Sequence, residues 1–112
     1  MSSDVTRAVG QRIARARRAA GLTQAELATR IGCPTDTLVH YERGRRGITV
    51  ERLSAIATAL DLPPASLLID DPSTAQLVAQ ILARPNIPPQ IAFFLTTLES
   101  DDDSEANVRE LR

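Results

Sequence analysis

Apolar residues recur along the chain at spacings of three and four, and polar residues occupy the positions between them. This is the period of an amphipathic helix; a half-buried strand would alternate with a period of two, and no segment does so. The first predicted helix starts behind Asp4 as its cap and ends at Gly21. Its apolar stripe contains Val5, Val9, Ile13, Ala16 and Ala20. The pattern predicts an all-α protein.

Two independent start signals coincide at the second predicted helix. Thr23 and Glu26 have the spacing of a capping box, in which each side chain accepts a hydrogen bond from the backbone N–H of the other. Leu22 and Leu27 flank this pair as a hydrophobic staple. The helix is predicted to stop at Gly32, because glycine readily adopts the left-handed conformation that ends a helix.

The third predicted helix runs from about Pro34 to Arg43 and is terminated by Gly44. Leu38 and Tyr41 are three residues apart and are expected to face the core. The other side of the helix carries Thr35, Asp36, Val39, His40 and Arg43. A short helix with a mostly polar outer side is therefore expected directly after the tight turn at Gly32.

The rest of the chain contains further helical signals and one segment whose composition differs from that of the helices. A fourth helix is predicted behind Thr49 and a short fifth one after the proline pair at residues 63–64. Residues 69–72 have the composition of a linker, and Ser73 with Gln76 forms another candidate capping box. Residues 84–89 interrupt the pattern before a last clear helix. We therefore expect two domains, residues 1–69 and residues 70–112, the second with a helical hairpin at 73–100.

The charge of the chain is divided between these halves. Residues 1–69 carry ten arginines and six acidic residues, whereas residues 70–112 carry three arginines and eight acidic residues. The net charge of −1 therefore conceals a basic half and an acidic half. A basic half indicates a polyanionic partner, unless the imbalance is only a feature of the surface.

Several classes of protein are not supported by the sequence. No apolar run approaches the ~20 residues that span a membrane, and the N-terminus lacks the apolar core of a signal peptide. Cys33 is the single cysteine, so neither an internal disulfide nor a cysteine metal cluster is expected. No nucleophile–base pair, metal-ligand spacing or phosphate loop is present. We expect a cytoplasmic, nucleoid-associated protein that is not an enzyme and has no metal or cofactor.

A helix, a tight turn and a second helix form the geometry that places the second helix in the major groove of DNA. The segment from Gly10 to Leu68 resembles the helix-turn-helix family of the phage Cro and CI repressors, the XRE family. The resemblance rests on RIARAR at 12–17, GLTQAELA at 21–28, YERGRR at 41–46 and ITVERL at 48–53. It implies a five-helix, lambda-repressor-like domain, here followed by the two-helix C-terminal hairpin.

The resemblance also implies roles for individual residues. Gln24 matches a phosphate contact, and Thr35 and Asp36 match the first base-contacting positions. His40 matches a further base or phosphate contact, and Arg17 and Glu42 match a pair that forms a salt bridge. The residues expected to bind DNA are Gln24, Thr35, Asp36, Thr37, Val39, His40, Arg43, Arg45 and Arg46. The chain departs from the family at Pro34, where a serine or threonine usually caps the recognition helix.

Some residues allow two interpretations. Asp36 can accept a hydrogen bond from a cytosine amino group, or it can be a solvated acid that favours the helix dipole. Val39 can contact a thymine methyl group, or it can be an ordinary exposed apolar residue. Cys33 can be a redox sensor or a small buried residue of the turn. A lone His40 supports neither metal binding nor catalysis.

The C-terminal hairpin is the candidate means of dimerisation, since two short amphipathic helices do not form a stable core alone. Its apolar stripe comprises Leu77, Val78, Ile81, Leu82, Ile91, Phe94, Leu95 and Leu98. The arrangement resembles the Sin-type repressors, although the hairpin can instead extend the core of the first domain. A protein antagonist could replace the self-contact, and the acidic tail from Asp101 could compete for the arginines.

The sequence thus favours a sequence-specific regulator of transcription that binds double-stranded DNA. We expect a repressor that acts as a homodimer on a palindromic operator. The alternative is the antitoxin of a toxin–antitoxin pair, which would bind DNA through the same domain and a toxin through its C-terminal region.

Overall fold

The computed structural model describes residues 3–109, with side chains described for residues 3–100. Within this range the chain forms six α-helices and one 3-10 helix and contains no strand, which confirms the all-α prediction. The helices are α1 (Asp4–Ala19), α2 (Gln24–Ile31), α3 (Thr35–Glu42), α4 (Val50–Ala59), the 3-10 helix (Pro64–Leu67), α5 (Pro72–Leu82) and α6 (Ile87–Arg109). None of the described helices is both long enough and apolar enough to span a membrane.

The described residues divide into two compact units. The head unit ends at Ala79, and the tail unit begins at Gln80. The division therefore falls inside α5, whereas the sequence indicates a linker before that helix. The domain boundary after residue 69 stays a prediction.

The core of the head unit receives one fully buried side chain from each of its first five elements. These side chains are Ile13, Leu27, Leu38, Ile56 and Leu67. Leu38 and Tyr41 both face inward from α3, as their spacing predicts. Because these five elements all contribute to one cluster, the orientation of the short helix α3 is determined by the packing of its neighbours.

The start and end signals of α2 act as predicted. The Thr23 hydroxyl accepts a hydrogen bond from the Glu26 backbone N–H at 3.0 Å, and the Glu26 carboxylate accepts one from the Thr23 N–H at 2.8 Å. Gly32 ends the helix with a φ of 72°, a left-handed conformation that costs glycine little. The capping-box prediction is confirmed.

Two other predicted caps are wrong, because a neighbouring residue takes the capping position. The side chain of Ser3, rather than Asp4, accepts the hydrogen bond from the Thr6 N–H, so α1 starts one residue earlier. At α5 the Asp71 carboxylate, rather than Ser73, accepts from the Thr74 N–H at 2.9 Å. In α5 this earlier start is compatible with Pro72 in the first position, where a helix needs no backbone N–H.

The predictions for three helix ends are also wrong, namely both ends of α1 and the start of α6. Val5 is 66% exposed and Ala20 is exposed, because both lie at the ends of α1 and not along its buried stripe. Helix α6 starts at Ile87, inside the predicted break, since the prolines that follow stand in its first turn and remove no intrahelical hydrogen bond.

Helix α1 crosses the C-terminal end of α3 so closely that the two backbones are in contact at Gly10. A Cβ atom added at Gly10 would overlap the Tyr41 carbonyl oxygen and lie 2.8 Å from the Glu42 carbonyl oxygen. Only glycine permits this approach, which brings the last turn of α3 directly onto α1.

Two arginines tie element ends to neighbouring helices. The Arg52 guanidinium on α4 donates to the Ile31 carbonyl at 2.8 Å and thereby satisfies one of the carbonyls left open at the end of α2. On α1, Arg12 donates to the Leu67 carbonyl at 3.0 Å and forms an ion pair with Asp70. The Arg52 bond fixes the end of α2 next to the turn before α3. The Arg12 bonds fix the chain directly after the 3-10 helix to α1.

Candidate nucleic-acid interface

The turn between α2 and α3 is short and firmly anchored. It consists of Gly32, Cys33 and Pro34, and the Cys33 N–H donates back to the Ala28 carbonyl at 3.0 Å. Cys33 is half-buried and packs against the core, which agrees with the interpretation as a small turn residue. Helix α3 therefore leaves the turn in a fixed direction, with fully buried Leu38 as its inner anchor.

The outer side of α3 presents a polar edge to solvent. Thr35 and Asp36 are exposed, and Thr37 and His40 are half-buried. The prediction that Val39 is exposed is wrong, because the residue is half-buried. The structure thus brings the predicted base-contacting residues together on one edge of α3.

Three exposed arginines follow α3 directly. Arg43 caps its C-terminus, and Arg45 and Arg46 stand in the loop beyond it. Gly44 between them has a φ of 70°, and a Cβ atom there would lie 2.7 Å from the Arg7 Cγ atom. The loop is therefore held against α1 while its guanidinium groups face solvent next to the polar edge.

Behind this edge lies a buried ion pair. The Arg17 Nε atom donates to Glu42 Oε2 at 2.7 Å, and an Arg17 terminal nitrogen donates to Oε1 at 3.1 Å. Arg17 is 8% exposed and Glu42 is 7% exposed. Arg17 also donates to the Leu22 carbonyl at 2.9 Å. The two-point geometry is the stronger form of an arginine–carboxylate contact.

Gln24 belongs to the same network, which sequence reasoning did not indicate. Its side-chain amide nitrogen donates to Glu42 Oε1 at 2.9 Å, and the residue is half-buried. An amide group has two N–H donors, so one remains for a ligand while Glu42 holds the orientation. Glu42 therefore connects α1, the start of α2 and the end of α3.

Pro34 is the N-cap of α3 and provides no side-chain hydrogen bond. The Thr37 and Leu38 N–H groups donate to the Pro34 carbonyl, at 3.1 and 3.4 Å. Within residues 3–109, the Thr35 and Asp36 N–H groups have no partner. The first turn of α3 is thus incompletely satisfied, and it begins at Thr35.

The residues predicted for dimerisation occur on α5 and α6 and are distributed over both units. Val78 and Ile81 are half-buried. The others are exposed, by 36% to 58%: Leu77, Leu82, Ile91, Phe94, Leu95 and Leu98. No group of residues in the described part of the chain has the composition of a metal site.

Comparison with known proteins decides the family. The family model described as "Helix-turn-helix" matches residues 13–67. The HTH-type transcriptional regulator y4dJ of Sinorhizobium fredii is 42% identical over 65 residues, which are 58% of this chain and 84% of that protein. The chain belongs to the XRE family of helix-turn-helix proteins. The family model matches the chain from the middle of α1 to the end of the 3-10 helix and so includes the polar edge of α3.

Two further comparisons agree with this assignment. The HTH-type transcriptional regulator y4aM of the same organism is 33% identical over 94 residues, 81% of this chain, and the chain spans 64% of its length. The restriction-modification controller protein C.AhdI from Aeromonas hydrophila is 36% identical, with a TM-score of 0.54 over 57% of this chain and 96% of that protein.

The predicted likeness to Sin-type proteins is confirmed at the level of the fold. A structure of a SinR protein–SinI protein complex contains a chain that is 24% identical to this XRE-family chain, with a TM-score of 0.59. The similarity covers 85% of this chain and 98% of that one. The similarity is therefore longer than the XRE domain of residues 13–67.

Proposed function

We propose that this chain regulates transcription by binding specific double-stranded DNA through α3 and the loop behind it. The observation that carries the proposal is the polar edge of α3, which is exposed at Thr35 and Asp36 and is followed directly by exposed arginines. The inner face of the same helix is fixed by buried Leu38. A short helix held in this way can enter a major groove with its N-terminal end leading.

The edge has side chains of the kinds that read base pairs. Thr35 can donate to or accept from a base edge, and Asp36 can accept from a cytosine amino group. Val39 can contact a thymine methyl group from the flank of the helix. Thr37 and His40 complete the surface around them.

Phosphate contacts are proposed on both sides of α3. Arg43, Arg45 and Arg46 would bind the backbone beyond its C-terminus, where exposed guanidinium groups attract phosphates without regard to sequence. Gln24 would bind a phosphate with its second amide N–H at the N-terminus of α2, which favours anions. Glu42 supports this contact because it already orients the Gln24 amide at 2.9 Å.

The protein is proposed to act as a homodimer that represses by occupying its operator. A single head offers one recognition helix, and dimers gain specificity by reading two half-sites. The exposed apolar side chains of α6 support a self-contact, since Phe94, Leu95 and Leu98 are 41% to 56% exposed in the single chain. Burying them against a second copy would remove apolar surface from water.

Selection of bound duplexes from random oligonucleotides tests the proposal. A dimer should enrich a palindrome whose half-sites are centred about 10 base pairs, or a multiple, apart. A variant with Arg45→Gln and Arg46→Gln should bind every duplex more weakly while it enriches the same sequence, because phosphate contacts have no base preference. Enrichment of no sequence would refute specific binding, and a site without two-fold symmetry would refute the symmetric dimer.

A further inference from the structure

The head unit contains a pocket that the proposed DNA contacts do not use. It has a volume of about 300 Å³ and lies between α1, the 3-10 helix and the first turns of α5. All its lining residues belong to the head unit. This volume is at the lower end of the range of small-molecule sites.

The pocket exists because small side chains face each other across it. Ala16 and Ala19 line it from α1, and Ala75 and Ala79 line it from α5. Leu62 and Leu67 add larger apolar walls. Surfaces of this kind bind water poorly, and an aliphatic group placed among them gains dispersion contacts and loses its own exposed area.

Arg15 and Ser66 are among the polar residues at the pocket that lack a partner among the described residues. Arg15 lines it and is exposed, without a hydrogen bond or ion pair to the described side chains. The Ser66 hydroxyl is buried and has no hydrogen-bond partner. Buried hydroxyl groups in folded proteins are normally paired, and this one is an exception among the described residues.

The charges around the pocket select for an anion. Arg12 also lines it, but its guanidinium is already bound by the Leu67 carbonyl and by Asp70. The Asp70 carboxylate is thereby neutralised, and the unpaired positive charge that remains is that of Arg15. A carboxylate is a planar anion that pairs with a guanidinium group by two charge-assisted hydrogen bonds.

We propose that this pocket binds a small aliphatic carboxylate. The aliphatic chain lies among the alanines of α1 and α5, and the carboxylate binds Arg15 at the rim. The predominantly apolar lining disfavours a nucleotide or another polyanion, because most of its polar groups would be left without partners. The site is separate from the polar edge of α3, and the proposal holds whether or not the chain binds DNA.

Titration of the full chain with octanoate, followed by calorimetry and by backbone amide NMR shifts, tests this site. We expect saturable binding, with shifts at the pocket residues of α1 and α5. Arg15→Gln should weaken binding by about tenfold, since it removes a charge-assisted pair. Arg18→Gln is the matched control, because Arg18 is an exposed arginine of the same helix that does not line the pocket.

Two further probes make the outcome decisive. Ala19→Leu should abolish binding, since Ala19 lines the pocket yet is exposed, and its larger replacement would fill the space. Octylammonium, with the same chain and the opposite charge, should not bind. The proposal is overturned if octanoate gives no saturable binding, if Arg15→Gln binds it unchanged, if octylammonium binds equally, or if the shifts are confined to α6.

Discussion

At the scale of the residue, Glu42 is the point on which the candidate interface depends. A carboxylate in the last turn of a helix is unfavourable, because the C-terminal end of a helix dipole is negative. Here the cost is offset by the Arg17 guanidinium and by the Gln24 amide, which both donate to it. One acidic side chain thereby links the start of α2 to the end of α3 through α1.

Arg17→Ala should lower the free energy of unfolding by about 3–5 kcal/mol, because it leaves the buried Glu42 carboxylate without its charged partner. Chemical denaturation measures the loss. DNA affinity should fall as well, since Glu42, no longer fixed by Arg17, would hold the Gln24 amide less firmly. Arg18→Ala, on the exposed side of the same helix, should change stability by less than about 0.5 kcal/mol. An unchanged melting temperature in Arg17→Ala would show that the pair contributes nothing.

Asp36→Ala should relax the preference at one base pair of the selected site, if its carboxylate accepts from a cytosine amino group. The discrimination lost should be about 1–3 kcal/mol, the range of a good base contact. Competition between duplexes that differ at a single position measures it. Uniformly tighter binding to all sequences would identify Asp36 as a repelling surface acid.

The sequence predicted which residues belong to the candidate interface, but it did not predict the bond from Gln24 to Glu42 behind it. The absence of a side-chain cap at Pro34 is visible in the sequence, since proline has no oxygen to offer, and the structure has none. The bond from Gln24 to Glu42 depends on how close two different helices approach. No spacing within one helix contains that information.

At the scale of the element, the contact of α1 with α3 depends on Gly10. Gly10→Ala should destabilise the fold by about 2 kcal/mol, because the added methyl group meets two backbone carbonyls that cannot move aside like a flexible side chain. This loss exceeds the ~1 kcal/mol that alanine gains from its helix propensity. Gly47→Ala is the matched control, since nothing lies within 4 Å of a Cβ atom there. Equal melting temperatures of the two variants would contradict the close packing.

The capping box of α2 should make the free energy of unfolding depend on pH in the acidic range. Hydrogen bonds from the backbone and side chain of Thr23 lower the pKa of Glu26 below its ordinary value of 4.5. A carboxyl group whose pKa is lowered by folding stabilises the protein above its unfolded-state pKa, and this contribution is lost as the pH falls through the folded-state pKa.

Denaturation of the wild type and of Glu26→Gln at a series of pH values measures this contribution. Below pH 4.5 the free energy of unfolding should fall less steeply in Glu26→Gln, because glutamine keeps an acceptor for the Thr23 N–H but does not titrate. Equal slopes would exclude a contribution of Glu26. Asp71, whose pKa is lowered by hydrogen bonds from Thr74, accounts for part of the dependence that remains.

The existence of the helices could be predicted, whereas some of their first residues could not. At α1 and α5, two residues that can cap a helix stand close together, and the choice between them depends on which one leaves the extended backbone. At α2 two signals agree, and the start was predicted correctly. The role of Gly10 is not predictable, because a glycine inside a helix reveals its purpose only through the element packed against it.

At the scale of the whole molecule, the state of association should depend on the apolar face of α6. Leu95→Glu should convert a dimer into a monomer, because the proposed contact would have to bury an unpaired charge among apolar side chains. Sedimentation equilibrium measures the change. Thr96→Glu adds the same charge at the neighbouring exposed position and should leave the dimer intact. A dimer that persists in Leu95→Glu would locate the contact elsewhere.

Charge division and the linker signal predict two domains that meet after residue 69, and this boundary stays a prediction. The described residues form two compact units that divide after Ala79. What the sequence did not reveal is that the first turns of α5 belong to the head unit. Two features join this part of the chain to α1. Arg12 forms an ion pair with Asp70, just before α5, and α1 and α5 line the same cavity. Both arise from residues that lie far apart along the chain.

The first turn of α3 has a consequence for how the helix meets its target. The amide protons of Thr35 and Asp36 have no acceptor among the described residues. An oxygen atom of a bound duplex would give these two N–H groups an acceptor. Deuterium should therefore replace these two protons rapidly in the isolated protein and slowly once the operator is present.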